Sequence, residues 1–573
     1  VAAQAPLPAE QFFDAAQALV KDLLGTLGIR PETGFSGPLQ SAGLVDAAKL
    51  AALQAQYFQQ YAALWQAFLA RESGHDTEPV AQPESGDRRF SSPEWQSNPW
   101  FDYLRQSYLI NSHFLADWVE AVDADSRTKE RLRFAARQIS DAMSPANFAA
   151  TNPEVLKLAL DTKGESLSAG VRHLLEDVHK GHISITDESA FEVGRNLAVT
   201  EGAVVFENEL IQLIQYTPRT ATVYKRPLVM IPPCINKFYI LDLQPGNSFV
   251  RYAVEQGHTV FMVSWRNVTE EVGHLTWDDY IGKGVLAALE AAREIAKAET
   301  INALGFCVGG TMLGVALAVM AARGDKTVES ATFLASMLDF SDTGEVGLFV
   351  DEASVAAREA AVGKGGVVPG HELAMVFSAL RANDLVWPYV INNYLKGRSP
   401  AAFDILCWNA DSTSLPGPMY CWYVRNTYLE NALREPGKVS VLGVPVDFGR
   451  IAQPAYVLAT RDDHIVPWRT AYATTQLITG PLRFVLGASG HVAGIVNPPA
   501  ANRRSHRSAG QLTRSADDWF AGATEKPGSW WTDWSAWLAE FGGARVKSRT
   551  RLGNRKYQSI ERAPGRYVKQ RAE

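Results

Sequence analysis

Cysteine is scarce, with four residues (Cys234, Cys307, Cys407 and Cys421) in a chain of 573. That is too few for a disulfide framework, and none sits in a C-x-x-C pair, which argues against a thiolate zinc site and for a reducing compartment. Long apolar runs are also missing. The longest, Met312 to Ala322 around Gly314, falls far short of the roughly 20 residues that a membrane span needs. The opening residues, VAAQAPLPAEQFFDAAQ, lack a basic stretch followed by an apolar one, so no signal peptide is expected and the cytoplasm is the expected location. There is no excess of positive charge: 55 Lys and Arg against 62 Asp and Glu give −7, which argues against a dedicated nucleic-acid binder. The basic residues concentrate in the tail, where residues 545–573 hold ten Lys or Arg and two acids. Such a tail is either a solvated terminus or a contact for a polyanion or partner.

What the chain does have is an ordinary globular composition, 46% apolar and 20% charged, with 15 Trp, 18 Tyr and 25 Phe to fill a large core. The first 190 residues read as a helical region. Phe12, Ala16, Leu19 and Leu23, then Leu50, Leu53, Tyr57, Leu64 and Phe68, recur at helical steps. Residues 72–99, rich in Ser, Gly, Pro and charge, read as a flexible linker. Helical spacing resumes at Phe101, Leu104, Tyr108 and Leu109.

From about residue 191 the texture changes. PLVMIP, HTVFMVSW, INALGFC, the stretch 328–338, PAYVLA and LRFVL are strand-like and alternate with helical patterns such as VLAALEAAREIAKA. The expectation is an α/β domain with a mainly parallel sheet covered on both faces. This rhythm is lost between about 340 and 438, where an aromatic, Gly/Pro-punctuated insertion suits a lid or cap near a site.

The strongest local signal is Gly305-Phe306-Cys307-Val308-Gly309, between a strand and a helix. This is the setting of a nucleophile elbow, with cysteine in place of serine and the helix N-terminus favouring a thiolate. In an α/β-hydrolase-like fold the acid and the histidine follow the nucleophile in that order. Of His371, His464, His491 and His506, His491 is the choice, directly after the strand LRFVL in a loop placed to face the elbow. Asp462 and Asp463 both follow PAYVLA, and spacing does not separate them. His464 is a supporting residue if it lines the cleft and a solvated loop residue otherwise. Val308 N–H is the expected first oxyanion donor, with Ile235 or Asn236 supplying the second from the loop after PLVMIP. Cys234 in that loop lacks an elbow. Read this far, a Cys-type thioesterase or a dienelactone-hydrolase-like hydrolase fits as well as any transferase.

Longer segments narrow the choice. The elbow with Gly310-Thr311, PPCINKFYILDLQPGNS (232–248), VSWRN (263–267), TWDDY (276–280), NDLVW (383–387), WNADSTSLPGPMYCWY (408–423), DHIVPW (463–468) and GASGHVAGIVNPP (487–499) resemble the poly(3-hydroxyalkanoate) synthases. SPEWQSNPWFDYLRQSYL (92–109) and the closing PGRYVK (564–569) resemble their single-subunit class I type, so the likeness spans essentially the whole chain.

The resemblance implies an enzyme that transfers (R)-3-hydroxyacyl groups, chiefly short-chain 3-hydroxybutyryl, from coenzyme A onto a growing polyester through an acyl-cysteine, with no further cofactor and no metal. It implies Cys307 as nucleophile, His491 as general base and Asp463 as third member. Asp242 matches a position important for activity, Arg381 lies where the coenzyme A entrance is thought to be, and Trp408 and Cys421 match packing or dimer positions. It further implies a homodimer in the cytoplasm on polyester granules, with granule-associated proteins meeting the N-terminal region.

Overall fold

The computed structural model describes residues 45–572, so the stripe at Phe12 to Leu23 lies outside the described residues. The chain divides into two units. One runs up to Ile183 and includes Arg381–Ser399; the other comprises Ser184–Leu380 and the chain from Pro400 on. Part of the expected insertion therefore belongs to the helical unit. Its polar side chains bind there: Tyr394 donates to Asp177 at 2.6 Å and Asn383 to Asp141 at 2.7 Å.

In the helical unit four helix starts are marked by a side-chain acceptor. Asp46 opens α1 (Ala47–Glu72), accepting from the Ala48 and Lys49 amides at 2.9 and 3.0 Å. Asn98 and Pro99 open α2 (Pro99–Ala121), Asp125 opens α3 (Ser126–Ala142), and Asn152 with Pro153 opens α4 (Pro153–Asp161). A carboxylate or amide oxygen there takes an N–H that the helix cannot satisfy, and proline at the first position lacks that N–H anyway. The helix α5 (Glu165–Lys180) ends on Gly181 at φ 77°.

Leu50, Tyr57 and Leu64, seven residues apart, are the buried stripe of α1. Residues 72–99 are not the flexible linker that their polarity suggests. Ala81, Phe90 and Trp95 are buried in the same core as Tyr57 and Leu109, with Phe90 edge-on to Trp95 at 5.0 Å. Two large aromatic rings bury enough apolar surface to order a segment whose average composition is polar.

In the second unit, eleven strands among the described residues form one sheet. They are β1 (Gly202–Glu207), β2 (Ile211–Tyr216), β3 (Leu228–Ile231), β4 (Val260–Trp265), β5 (Ile301–Phe306), β6 (Val328–Leu334), β7 (Ala455–Thr460), β8 (Leu482–Gly487), β9 (Ser505–Ser508), β10 (Thr524–Pro527) and β11 (Glu561–Arg562). The spatial order is β10-β9-β8-β7-β6-β5-β3-β4-β2-β1-β11. The six strands from β8 to β4 run parallel, and β2, β1, β11, β9 and β10 add antiparallel edges. The parallel strands are the apolar runs read from the sequence. β3 to β5 and β7 are buried at every position, as strands covered on both faces must be.

The insertion within this unit is helical, with helices at Glu352–Val362, Gly370–Leu380, Asp404–Ala410 and Gly417–Val424. The basic tail is packed rather than loose. Arg545–Lys547 pair with Thr222–Tyr224, β11 extends the sheet at β1, and Tyr567 and Val568 are buried.

Candidate active site

The buried strand β5 runs straight into helix α6 (Val308–Ala322), and Cys307 makes the turn at φ 53°, ψ −128°. That conformation disfavours a side-chain-bearing residue and persists only where its surroundings hold it. Here Cys307 N–H donates to the Leu334 carbonyl at 2.9 Å. The flanking glycines are steric necessities: a Cβ on Gly305 would strike the Gly309–Gly310 backbone, and one on Gly309 the Ile231 carbonyl. Cys307 is half-buried, whereas Cys234, Cys407 and Cys421 are buried. Burial pushes the Cys234 thiol up and the Cys407 thiol up to about 11.

The loop after β8 brings in His491, which opens the short helix His491–Ile495. Its Nδ1 is 2.7 Å from Asp463 Oδ2 in the loop after β7. Of the two aspartates that spacing left open, Asp462 is exposed and Asp463 buried. All of the carboxylate of Asp463 is used. Oδ1 accepts from the Ile465 and Val466 amides at 2.9 and 2.8 Å, and Oδ2 from the Thr460 hydroxyl at 3.0 Å besides His491. Burial opposes ionisation of Asp463, but His491 and these donors outweigh it and hold the carboxyl below its usual range. Burial likewise pushes the His491 imidazole down, and the charges of Asp463, its hydrogen-bond partner, and of Cys307 carry it well above its ordinary value. Phe306 stacks on the imidazole at 5.4 Å.

The two loops are locked to each other, and the second to the segment at Trp530 and Trp531. Asp462 N–H donates to Ser489 O at 3.0 Å, and the indoles of Trp530 and Trp531 donate to Gly494 O and Ile495 O, both at 2.9 Å. Two tyrosines of the insertion, Tyr423 and Tyr428, are raised first by burial and then by charges that include Cys307. Val308 is the first residue of α6, so its N–H has no intrahelical acceptor. The Ile235–Asn236 turn is half-buried past the end of β3, with Asn236 bridged to Ser412 of the insertion.

Asp242 is fully buried, accepting from the Thr200 and Ser248 hydroxyls at 2.5 and 2.6 Å, and burial raises its carboxyl. Arg381 belongs to the helical unit, exposed and paired with Asp384 at 2.7 Å. His464 is half-buried one residue beyond Asp463, and His371 is exposed. Of the residues not singled out from the sequence, Phe306, Trp530, Trp531, Tyr423 and Tyr428 carried no signal of their own. Thr460 alone was legible in principle, as the end of a strand two residues before a paired aspartate.

Residues 86–253 match the model for the N-terminus of poly-beta-hydroxybutyrate polymerase, and 227–498 match that of the alpha/beta hydrolase fold. A poly(3-hydroxyalkanoate) polymerase subunit of Cupriavidus necator is 54% identical, over 94% of this chain and 92% of its own length. The chain belongs to the poly(3-hydroxyalkanoate) polymerase family. Other members are a polymerase of Methylorubrum extorquens, 42% identical over 92% of this chain and 88% of its own, and one of Rhizobium meliloti, 37% identical over 99% and 92%. Like them, this polymerase is an acyltransferase on an α/β-hydrolase fold. No helix among its described residues is long and apolar enough to cross a membrane.

Proposed function

We propose that the enzyme polymerises (R)-3-hydroxyacyl-CoA, chiefly 3-hydroxybutyryl-CoA, through a covalent thioester on Cys307, releasing coenzyme A and using no other cofactor. The observation that carries this is the His491–Asp463 pair, 2.7 Å apart, beside the Cys307 elbow, where Phe306 stacks on the imidazole. His491 takes the thiol proton, and the sulfur attacks the thioester carbonyl. The oxyanion is received by Val308 N–H and by an N–H of Ile235 or Asn236. Collapse breaks the bond to coenzyme A, whose thiolate recovers the proton. One thioester replaces another, so the acyl group stays activated. His491 then takes the proton of an incoming 3-hydroxyl, the alkoxide attacks the acyl-Cys307 carbonyl, and an ester forms as the sulfur departs and is reprotonated.

Asp463 orients and stabilises the imidazolium and does not act on the hydroxyl itself. Its four acceptor positions are filled, two by amides, one by Thr460 and one by His491, which leaves none for substrate. The phenols of Tyr423 and Tyr428 with Phe340, packed 5.2 Å from Tyr428, suit a lid that excludes water and so prevents hydrolysis. Asp242 supports the fold through its bonds to Thr200 and Ser248, and Arg381 and His464 are assigned to substrate contact. The enzyme works in the cytoplasm as a homodimer on polyester granules. Apolar residues exposed on α4 and α5, Leu160, Val171, Leu175 and Val178, suit an aliphatic surface or granule proteins.

Incubation with 3-hydroxybutyryl-CoA is expected to give coenzyme A and a turbid polymer, and mass spectrometry after a quench is expected to find the acyl adduct on Cys307. Free 3-hydroxybutyrate as the sole product would make the enzyme a hydrolase. Accumulating polymer with no adduct on Cys307 would overturn the covalent route.

A further inference from the structure

The Pro232–Asn236 turn carries the second oxyanion donor in the reading above, yet it belongs to no strand or helix that would fix it. The residue that ties it down follows immediately. Lys237 is 3% exposed, an unusual place for an ammonium. Its carbonyl accepts the Trp408 indole N–H at 2.7 Å, and its Nζ donates to the Gln570 carbonyl at 2.5 Å. Asp411 is the facing negative charge, itself held by the Tyr239 hydroxyl at 2.9 Å. On the near side, the Ile235 carbonyl accepts from Thr413 N–H at 2.9 Å. The turn is thus gripped from two directions, by residues 408–413 of the insertion and by the C-terminal segment, and both grips meet at Lys237. Burial works against the charge on Lys237. A hydrophobic residue would fill the same space without that penalty, so packing alone gives no reason for a lysine.

We propose that Lys237 is a positioning residue for acyl transfer, holding the Cys234–Asn236 turn so that one of its N–H groups stays aimed at the thioester carbonyl oxygen. The proposal rests on the oxyanion reading and deepens it. Lys237 touches neither substrate nor nucleophile. It acts through the turn, where a displacement of about 1 Å is enough to lose about 100-fold in rate.

The test pairs two readouts on the full-length enzyme: coenzyme A release from 3-hydroxybutyryl-CoA, and alkylation of Cys307 by iodoacetamide, which needs the thiolate but no oxyanion hole. Lys237→Met keeps the apolar stem and removes the donor. Its kcat is expected to fall about 10- to 100-fold with KM within about twofold, and the rate and pH profile of alkylation are expected to stay at the wild-type values. Lys237→Gln, which retains an N–H donor, is expected to recover part of the lost kcat. A Met variant within about twofold of wild type, alkylation that falls in step with kcat, or a Gln variant with no recovery would each overturn the proposal. If the Met variant gives no cooperative melt, Trp408→Phe replaces it. Loss of the indole donor is expected to lower kcat alone by about fivefold or more, and an unchanged kcat overturns the proposal. Wild-type enzyme inert towards the thioester would instead sink the reading on which the proposal stands.

Discussion

The helical unit and the sheet unit each bury an aspartate, and the partners of the two differ in kind. Asp102 meets Arg105 at 2.5 Å, Gln106 at 2.8 Å and Arg71, none of which changes charge at ordinary pH. Asp463 meets two amides, a hydroxyl and one imidazole, the only partner able to gain and lose a proton. The first arrangement is closed and holds helices in register. The second leaves one degree of freedom, the proton on His491, near the thiol of Cys307. A buried carboxylate becomes chemical equipment through the titratable partner it is given, not through burial.

Asp463→Asn should break the comparison most severely, because the amide cannot stabilise the imidazolium. The expected loss of kcat for coenzyme A release is about 10³- to 10⁴-fold. The same variant probes the pH dependence of stability. The raised His491 stabilises the fold fully below its unfolded value of about 6.5, and this is lost as pH rises through its folded value. The lowered Asp463 contributes fully above about 3.9, and this is lost as pH falls. The gap between wild-type and variant melting temperatures should therefore be widest between about pH 4 and 6.5. A gap independent of pH would break the assignment.

In the helical unit, Asp102→Ala strands a buried Arg105 and should lower stability by about 3–5 kcal/mol in urea unfolding, while Cys307 alkylates at the wild-type rate. His258 sharpens the contrast with a buried imidazole given no carboxylate. Burial first, and then Arg545, lower it to about 4. Its neutral form contributes stability that is complete above about 6.5 and lost as pH falls towards 4. His258→Phe should flatten that slope in pH-dependent melting. The smallest effect is expected at a helix start, where Asn98→Ala should cost about 1 kcal/mol by urea unfolding and leave kcat unchanged.

Legibility followed the range of the interactions. The elbow could be read because strand, turn and helix lie within a dozen residues, and His491 and Asp463 because each follows a buried parallel strand. The edge strand at Glu561–Arg562 could not, since two polar residues carry no periodicity and their partners Ala203 and Val204 lie some 360 positions away. Residues 72–99 misled because composition averages over a segment, whereas two rings, Phe90 and Trp95, decide its burial. Arg381–Ser399 joined the helical unit through tyrosine and asparagine contacts to aspartates more than 200 positions distant. The resemblance supplied the identity of the acyl donor. The choice of Asp463 over Asp462, which the resemblance implied, appears in the structure as a difference in burial.

Three of the four thiols are sealed inside the protein and one stands half-open at the elbow. A chromogenic disulfide should therefore release one equivalent of dye per intact molecule before unfolding exposes the rest. That burst would count the intact Cys307 thiols in any preparation, so that on the proposed acyl-Cys307 route turnover numbers could be quoted per competent centre with no engineered label.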